Sequence, residues 1–325
     1  MKVLEYEKYN SIENFKLIDV STPKPKENEI LIKVKASSIN SYDYRIMKGK
    51  PFLVRLQKGL FKPKKPYLGC DVAGSVEKVG SNVTKFKVGD NVFGCLADGN
   101  GDNAYSEYVC AKENIIAPIP NNVSFNEAAT IPMAGLTALQ ALRDFGKIKK
   151  DQKVLINGST GGVGMFAIQI AKESGAIVTG VCKAESMNKV IEIGADYVID
   201  TKEDFLNKGI KYDLIIDVVA NHSFSEYKKI LNENGICVMV GFSKMGHMLK
   251  VLINSAFSKN KKQKIVLAMA KNSIVTDLNL MAELVSLDKI KPVIDKEFEF
   301  TKIKEAFEYY EKEHIKGKII IKMID

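Results

Sequence analysis

Lys153-Val154-Leu155-Ile156-Asn157-Gly158-Ser159-Thr160-Gly161-Gly162-Val163-Gly164 joins an apolar run to a glycine-rich turn. Val163, Phe166, Ala167, Ile170 and Ala171 then recur at helical spacing. The spacing predicts a buried strand, a tight turn and a helix whose first amides face the turn, which is the arrangement that cradles a pyrophosphate. Gly161 lets the backbone approach phosphates, and Gly164 lets the helix pack on its strand. Ser159 stands where the commonest form of this fingerprint has its first glycine, so the strict pattern is broken. Gly175 fits a helix C-terminal cap and Ile177 to Cys182 reads as the next strand, which completes a βαβ unit. The expectation is a dinucleotide site.

Outward from this stretch, the texture of the chain changes at about Ser124. Before residue 123 short alternating strands dominate, among them Ile30 to Lys35, Asp71 to Val79 and Asn91 to Gly94, punctuated by glycines. This predicts an antiparallel, partly barrel-like domain. Ser124, with Glu127 three residues on, reads as a capping box that opens a helix. Strands follow at Tyr197 to Ile199, Asp213 to Val219, Ile236 to Val240 and Ile265 to Ala270, separated by amphipathic segments. Alternation of this kind predicts a doubly wound parallel sheet. The tail holds two helical stretches, Leu278 to Leu287 and Ile303 to Glu313, and a strand at Lys318 to Lys322. These pieces are too few for a core of their own, so they are expected to return to the first domain. The expected division is 1–123 with 272–325, and 124–271.

The 325 residues suffice for two cored domains, and 46% hydrophobic with 27% charged residues is ordinary for a globular protein. Charges break the first eight residues where a secretory signal needs an apolar core, and no run approaches membrane-spanning length. A cytoplasmic location and no membrane partner are expected. Five cysteines, at 70, 95, 110, 182 and 237, form no close pair, which suggests neither a disulfide framework nor a CxxC metal site. The net charge of +9 comes mainly from scattered lysines, with small clusters at Lys62-Pro63-Lys64-Lys65 and Lys259-Asn260-Lys261-Lys262-Gln263-Lys264; no nucleic-acid-binding motif stands beside them, so a solvated surface and no nucleic-acid partner are expected.

Three further stretches carry a family resemblance over essentially the whole chain: Pro66-Tyr67-Leu68-Gly69-Cys70-Asp71-Val72-Ala73-Gly74-Ser75-Val76, Val88-Gly89-Asp90-Asn91-Val92-Phe93-Gly94, and Ala128-Ala129-Thr130-Ile131-Pro132-Met133-Ala134-Gly135-Leu136-Thr137-Ala138. In this order they resemble the medium-chain dehydrogenase/reductase superfamily, which implies a GroES-like catalytic domain and a Rossmann domain. A short-chain dehydrogenase would carry its glycine turn near the N-terminus and a Tyr-x-x-x-Lys motif, but Tyr227-Lys228-Lys229-Ile230-Leu231 lacks a lysine at that offset. At the positions where zinc-dependent relatives hold the metal, the resemblance places Asn40, Cys70 with Asp71, and Met133. One thiol does not hold a catalytic zinc. The cysteines of the structural zinc lobe are missing, and His222, His247 and His314 lie beyond the first domain. Through Asn40-x-x-Asp43 and Tyr212 to Ser223 the chain is similar to the zinc-less quinone oxidoreductase branch, often labelled NAD(P)-dependent alcohol dehydrogenase. No metal site is expected.

Beyond the strand ending at Cys182 comes Lys183 rather than the acidic residue that grips an unphosphorylated ribose, which favours NADPH over NADH. Glu185 remains an alternative ribose partner, and Lys183 also reads as one more surface lysine. The resemblance implies cofactor contacts at Thr137, Gly158, Ser159, Gly161, Gly162, Val163, Val219, Ala220, Val240, Gly241 and Phe242. It implies that Asn40 and Asp43 orient the substrate while Tyr44 or Arg45 donates a hydrogen bond or relays a proton. Asp43 as a helix cap, Tyr44 as core packing and Arg45 as a surface residue are the structural alternatives. Without a metal to polarise a carbonyl, a quinone or α,β-unsaturated carbonyl is the expected acceptor, because hydride addition spreads charge onto oxygen as an enolate or hydroquinone anion. A metal-free alcohol or carbonyl reductase, and a non-catalytic NADPH-binding sensor or RNA-binding protein, stay open. A homodimer through the edge strand at Ile265 to Ala270 is implied by the resemblance.

Overall fold

The computed structural model describes residues 1–97, 103–240, 262–271 and 273–323. In chain order the strands are β1 (Lys2–Tyr6), β2 (Phe15–Asp19), β3 (Glu29–Ile39), β4 (Asp71–Val79), β5 (Asn91–Cys95), β6 (Tyr108–Lys112), β7 (Ile116–Pro118), β8 (Lys153–Asn157), β9 (Ile177–Cys182), β10 (Tyr197–Asp200), β11 (Tyr212–Asp217), β12 (Leu231–Met239), β13 (Lys264–Leu267), β14 (Ile294–Glu299) and β15 (Lys318–Lys322). They form a small β1–β2 ribbon, a seven-stranded sheet and a six-stranded sheet. The chain divides into two compact units, 1–134 with 271–287 and 292–325, and 135–270 with 288–291.

In the first unit the sheet runs β14-β15-β3-β4-β5-β7, with β6 pairing β3 as well. Its pairs are antiparallel except β14 with β15. The eleven-residue β3 is its axis, and its residues are buried on both faces. The tail returns here: Ile319 and Ile321 on β15 pack with Ile30, Ile32, Val72 and Leu96, and Phe307 on the helix Ile303–Lys312 joins them. Burial of these aliphatic chains, at roughly 25 cal/mol per Å², is what holds so distant a segment in place.

The second unit's sheet is parallel throughout, in the order β10-β9-β8-β11-β12-β13. With β8 counted first this is 3-2-1-4-5-6, the doubly wound order of a Rossmann domain. The strand order reverses beside β8, and ligands of such sheets sit at the carboxyl ends of the strands at that reversal. The helix Gly162–Glu173 follows β8 and ends where Gly175 adopts φ of 76°. Among the described residues no helix is long and apolar enough to cross a membrane.

The capping box at Ser124 is present: its hydroxyl accepts from the Glu127 N–H, and the Glu127 carboxylate accepts the Ser124 N–H at 2.9 Å. The helical run it opens contains π-helical turns at Ile131–Gly135 and Ala141–Phe145. Pro132, which has no N–H to donate, accounts for the first.

Candidate functional site

Within the second unit the phosphate turn is built from three different glycine requirements. Gly158 leaves β8 with φ of 89°, and a Cβ there would stand 2.6 Å from Val219 Cγ2. Gly164 needs its hydrogen because a Cβ would lie 2.1 Å from the Gly158 carbonyl oxygen. Gly161 is different: a Cβ would meet nothing within 4 Å. Crowding under the turn thus fixes Gly158 and Gly164, while Gly161 faces open space beside the first amides of the helix Gly162–Glu173. Ser159, fully buried, donates its hydroxyl to the Val181 carbonyl at 2.9 Å, and its own N–H donates to the same oxygen at 3.2 Å. The broken fingerprint is therefore a tie between the turn and β9.

Neighbouring strand ends supply the rest of this surface. Asp217 closes β11, and its Oδ1 accepts the N–H of Val219 at 3.1 Å and of Ala220 at 2.9 Å, which holds Ala220 at φ of 57°. Asn157 Nδ2 reaches Asp217 Oδ1 at 3.0 Å, Asn221 Oδ1 at 2.7 Å and the Tyr227 hydroxyl at 2.9 Å. Burial pushes the Asp217 carboxyl above its ordinary pKa against the opposing pull of these donors. Val219 is exposed, Ala220 is buried and Val240 is half-buried at the end of β12, its N–H on the Asp217 carbonyl. Gly162, Val163 and Thr137 are half-buried, and Lys183 is exposed immediately after β9. Gly241 and Phe242 lie outside the described residues.

The first unit holds a second polar centre, assembled from four stretches of chain. Asn40 caps the helix α1 (Ser41–Lys48), and the Asp43 carboxylate accepts the Asn40 N–H at 2.9 Å. The Asn40 amide donates to Asp71 Oδ2 at 2.9 Å, and Ser38 Oγ donates to the same oxygen at 2.7 Å. Asp71 Oδ1 accepts the Met133 N–H at 3.0 Å. Lys318, from β15, closes the centre: its ammonium donates to Asn40 Oδ1 and stands 3.5 Å from Asp71 Oδ2. Asp71 and Lys318 are both buried. Cys70 Sγ lies 3.7 Å from Asp43 Oδ2, and desolvation raises the Cys70 thiol well above the usual range, with Asp43 and Asp71 adding to it. Tyr105 donates to the Ser38 carbonyl at 3.2 Å, and burial raises its phenol likewise. Among the described residues, Cys70, Asp71 and Cys95 form a group whose donor atoms lie within 4.8 Å of one another.

Of the four expected catalytic residues, Asn40 and Asp43 belong to this centre. The Tyr44 hydroxyl points elsewhere, donating to Glu311 Oε1 at 2.9 Å, and its ring leans on Tyr310 at 5.3 Å. Burial lowers the pKa of Arg45, whose charge faces Tyr310. Lys318, Ser38 and Tyr105 escaped the sequence reading. For Lys318 the available signal is a lysine opening the apolar strand Ile319 to Ile321 from the buried edge.

The residues 26–121 match the alcohol dehydrogenase GroES-like domain, and 193–321 match a family described as zinc-binding dehydrogenase. A chloroplastic quinone-oxidoreductase homolog of Spinacia oleracea is 34% identical over 335 residues, covering 99% of this chain and 98% of the relative. The chain belongs to the quinone oxidoreductase family of medium-chain dehydrogenase/reductases. The 2-methylene-furan-3-one reductase of Solanum lycopersicum, another relative, is 32% identical over 332 residues, 99% of this chain and 79% of the relative. The solved structure of the quinone oxidoreductase from Coxiella burnetii superposes with a TM-score of 0.88 at 32% identity, covering 99% of both chains. An oxidoreductase of this family, with a GroES-like and a Rossmann domain, is what the two sheets and the phosphate turn amount to.

Proposed function

We propose that this oxidoreductase transfers hydride from NADPH to a quinone or an α,β-unsaturated carbonyl, without zinc. The observation that carries the reading is the buried Lys318 ammonium bound to Asn40 and beside Asp71. A catalytic zinc takes three protein donors and keeps one position open. Here both Asp71 oxygens already accept hydrogen bonds and a cation stands at the carboxylate. Of the clustered donors Cys70, Asp71 and Cys95 the carboxylate is thus already taken, and a zinc ion there would meet the Lys318 ammonium, so the donor set does not fit the ion.

The phosphate turn fits a dinucleotide. Gly161 leaves room for the diphosphate, the first amides of the helix Gly162–Glu173 face it, and Ser159 with Asp217 holds the flanking loops still. The bound nicotinamide supplies the hydride. Gly158, Gly161, Gly162 and Val163 hold the diphosphate, Thr137, Val219, Ala220 and Val240 flank the nicotinamide, and Lys183 pairs with the ribose phosphate. Asn40 and Asp43 act as positioning residues, since Asp43 Oδ2 is held by the Asn40 N–H and the Asn40 amide by Asp71 and Lys318 within the buried centre. A conjugated acceptor suits this arrangement because its developing anion is delocalised, so ordinary hydrogen bonds stabilise it. The names of the spinach and tomato relatives, a quinone oxidoreductase and a reductase of a methylene ketone, support the same acceptor class. β13 ends its sheet, and this edge is the surface we assign to a homodimer.

The test is a panel of quinones, enones and matching saturated ketones with both coenzymes, on protein whose metal content has been measured. NADPH consumption with the conjugated acceptors is expected. No turnover with any of them, or turnover that disappears on chelation of stoichiometric zinc, overturns the proposal. Lys183→Ala is expected to raise the KM for NADPH about tenfold, the worth of one charge-assisted hydrogen bond, and to leave that for NADH unchanged.

A further inference from the structure

From Tyr44 to Cys70 the chain carries eight cations, Arg45, Lys48, Lys50, Arg55, Lys58, Lys62, Lys64 and Lys65, and not one Asp or Glu. The same stretch presents Phe52, Leu53, Leu56, Leu60 and Phe61 to solvent, Phe52 at 60% and Phe61 at 87%. These five lie within ten residues, whereas the other exposed large apolar residues among those described are spread along the chain from Val79 to Leu287. Scattered apolar residues on a surface are ordinary, but a cluster marks a binding surface.

The cluster is held in shape. Residues Phe52–Lys58 form the short helix α2. The Lys64 N–H donates to the Lys58 carbonyl at 2.7 Å, which closes a loop with Leu60, Phe61 and Lys62 at its tip. Tyr9 anchors that loop through a 2.8 Å hydrogen bond from its hydroxyl to the Gly59 carbonyl. Arg55 folds back on the Tyr9 ring and the Gly49 carbonyl, and Lys58 lies over Tyr42. Lys48 is paired with Glu311. Lys50, Lys62 and Lys64 are exposed around the apolar residues.

We propose that this segment docks on an anionic lipid surface, with Phe61, Leu60 and Phe52 entering the interface and Lys50, Lys62 and Lys64 meeting the headgroups. Apolar side chains ringed by lysines are the chemistry of interfacial attachment, in which burial of the apolar tip and attraction to acidic lipids add. A second copy of this chain would bring the same cations face to face. A nucleic acid would satisfy the lysines and leave the leucines without a partner. Attachment is peripheral, because no described helix is able to span. This departs from the sequence-based expectation of no membrane partner, which rested on the lack of a spanning run. The proposal is independent of the reaction the protein performs.

Flotation of the full chain with vesicles of phosphatidylcholine alone, and with a third of the lipid replaced by phosphatidylglycerol, tests it. Binding to the acidic vesicles and not to the neutral ones, weakened by raising the salt, is expected. The triple change Lys50→Gln, Lys62→Gln, Lys64→Gln is expected to lower partitioning on the order of a hundredfold, at about fivefold for each lysine. Phe61→Ser, at a site too exposed to disturb folding, is expected to lower it about tenfold. Equal flotation with neutral and acidic lipid, or acidic-lipid binding that both variants retain, overturns the proposal. So does a Phe61→Ser protein that floats normally but shows a raised KM for a dissolved quinone, or lost self-association; the patch then serves the acceptor or a second copy.

Discussion

The phosphate turn of the second unit and the Asn40–Asp71–Lys318 centre of the first are both polar sites at strand ends, but they are made in opposite ways. The turn is written in twelve consecutive residues: Gly164 is required by the Gly158 carbonyl within the turn, Gly161 faces open space, and only Gly158 answers to a distant atom, Val219 Cγ2. The centre draws on residues 38–43, 70–71, 133 and 318, which only the sheet brings together. A local site depends on backbone freedom, whereas an assembled one depends on burying opposite charges at the same depth. The two should fail differently when altered.

The largest effect is expected at the assembled centre. Lys318→Met leaves the Asp71 carboxylate buried without its cation, at a cost of about 3–5 kcal/mol. Adding Asp71→Asn to that variant should recover at least half of the loss, since the orphaned charge is then gone. Urea unfolding of the single and double variants measures both, and a loss below about 1 kcal/mol for Lys318→Met would class the pair with solvent-exposed ones.

At the local site the glycines should separate. Gly164→Ala pushes a methyl to within 2.1 Å of the Gly158 carbonyl, so stability is expected to fall by about 1–3 kcal/mol and NADPH binding with it. Gly161→Ala meets no protein atom and should leave unfolding nearly unchanged while weakening NADPH at least tenfold in a calorimetric titration, because the methyl fills the ligand's place. Equal behaviour of the two variants would erase the distinction between packing and ligand clearance.

The smallest effect concerns the pH profile of the polar network beneath the turn. The Asp217 carboxyl has a raised pKa in the folded protein, so the folded state favours its protonated form. Its contribution to stability is fully present below the unfolded value of 3.8 and is lost as pH rises through the folded pKa. Asp217→Asn keeps an acceptor for the Val219 and Ala220 N–H groups but does not titrate. Relative to this variant, the native protein should lose stability between acid and neutral pH, and a constant difference in unfolding free energy across that range would contradict the shift.

Much of the fold was legible because periodicity and punctuation are local properties. Asp71–Val79, Ile177–Cys182 and Lys318–Lys322 are strands with the expected limits, and Ser124 caps its helix as its spacing to Glu127 implies. Strand ends were less legible: β12 begins at Leu231, five residues before the expected Ile236, because Leu231 pairs with Tyr212 across a register shift. The turn could be read for the same reason that its variants should be separable. In the centre, Asn40 and Asp43 were visible only through the family resemblance, and Lys318 was missed: a lysine opening an apolar strand signals burial, but nothing in it names the carboxylate 247 positions earlier that meets it.

The long separation of the centre's residues shapes how the protein is made. Asn40 and Lys318 are separated by 278 positions, so a ribosome adding roughly 5–20 residues per second needs on the order of tens of seconds to deliver the second after the first. Throughout that interval the nascent amino-terminal sheet lacks β15, and Asp71 waits without its counterion. Completion of the first unit is thus deferred until β15 has been made, and chains cut short before Lys318 should be recognised by proteases as unfinished however well their parallel-sheet unit has formed.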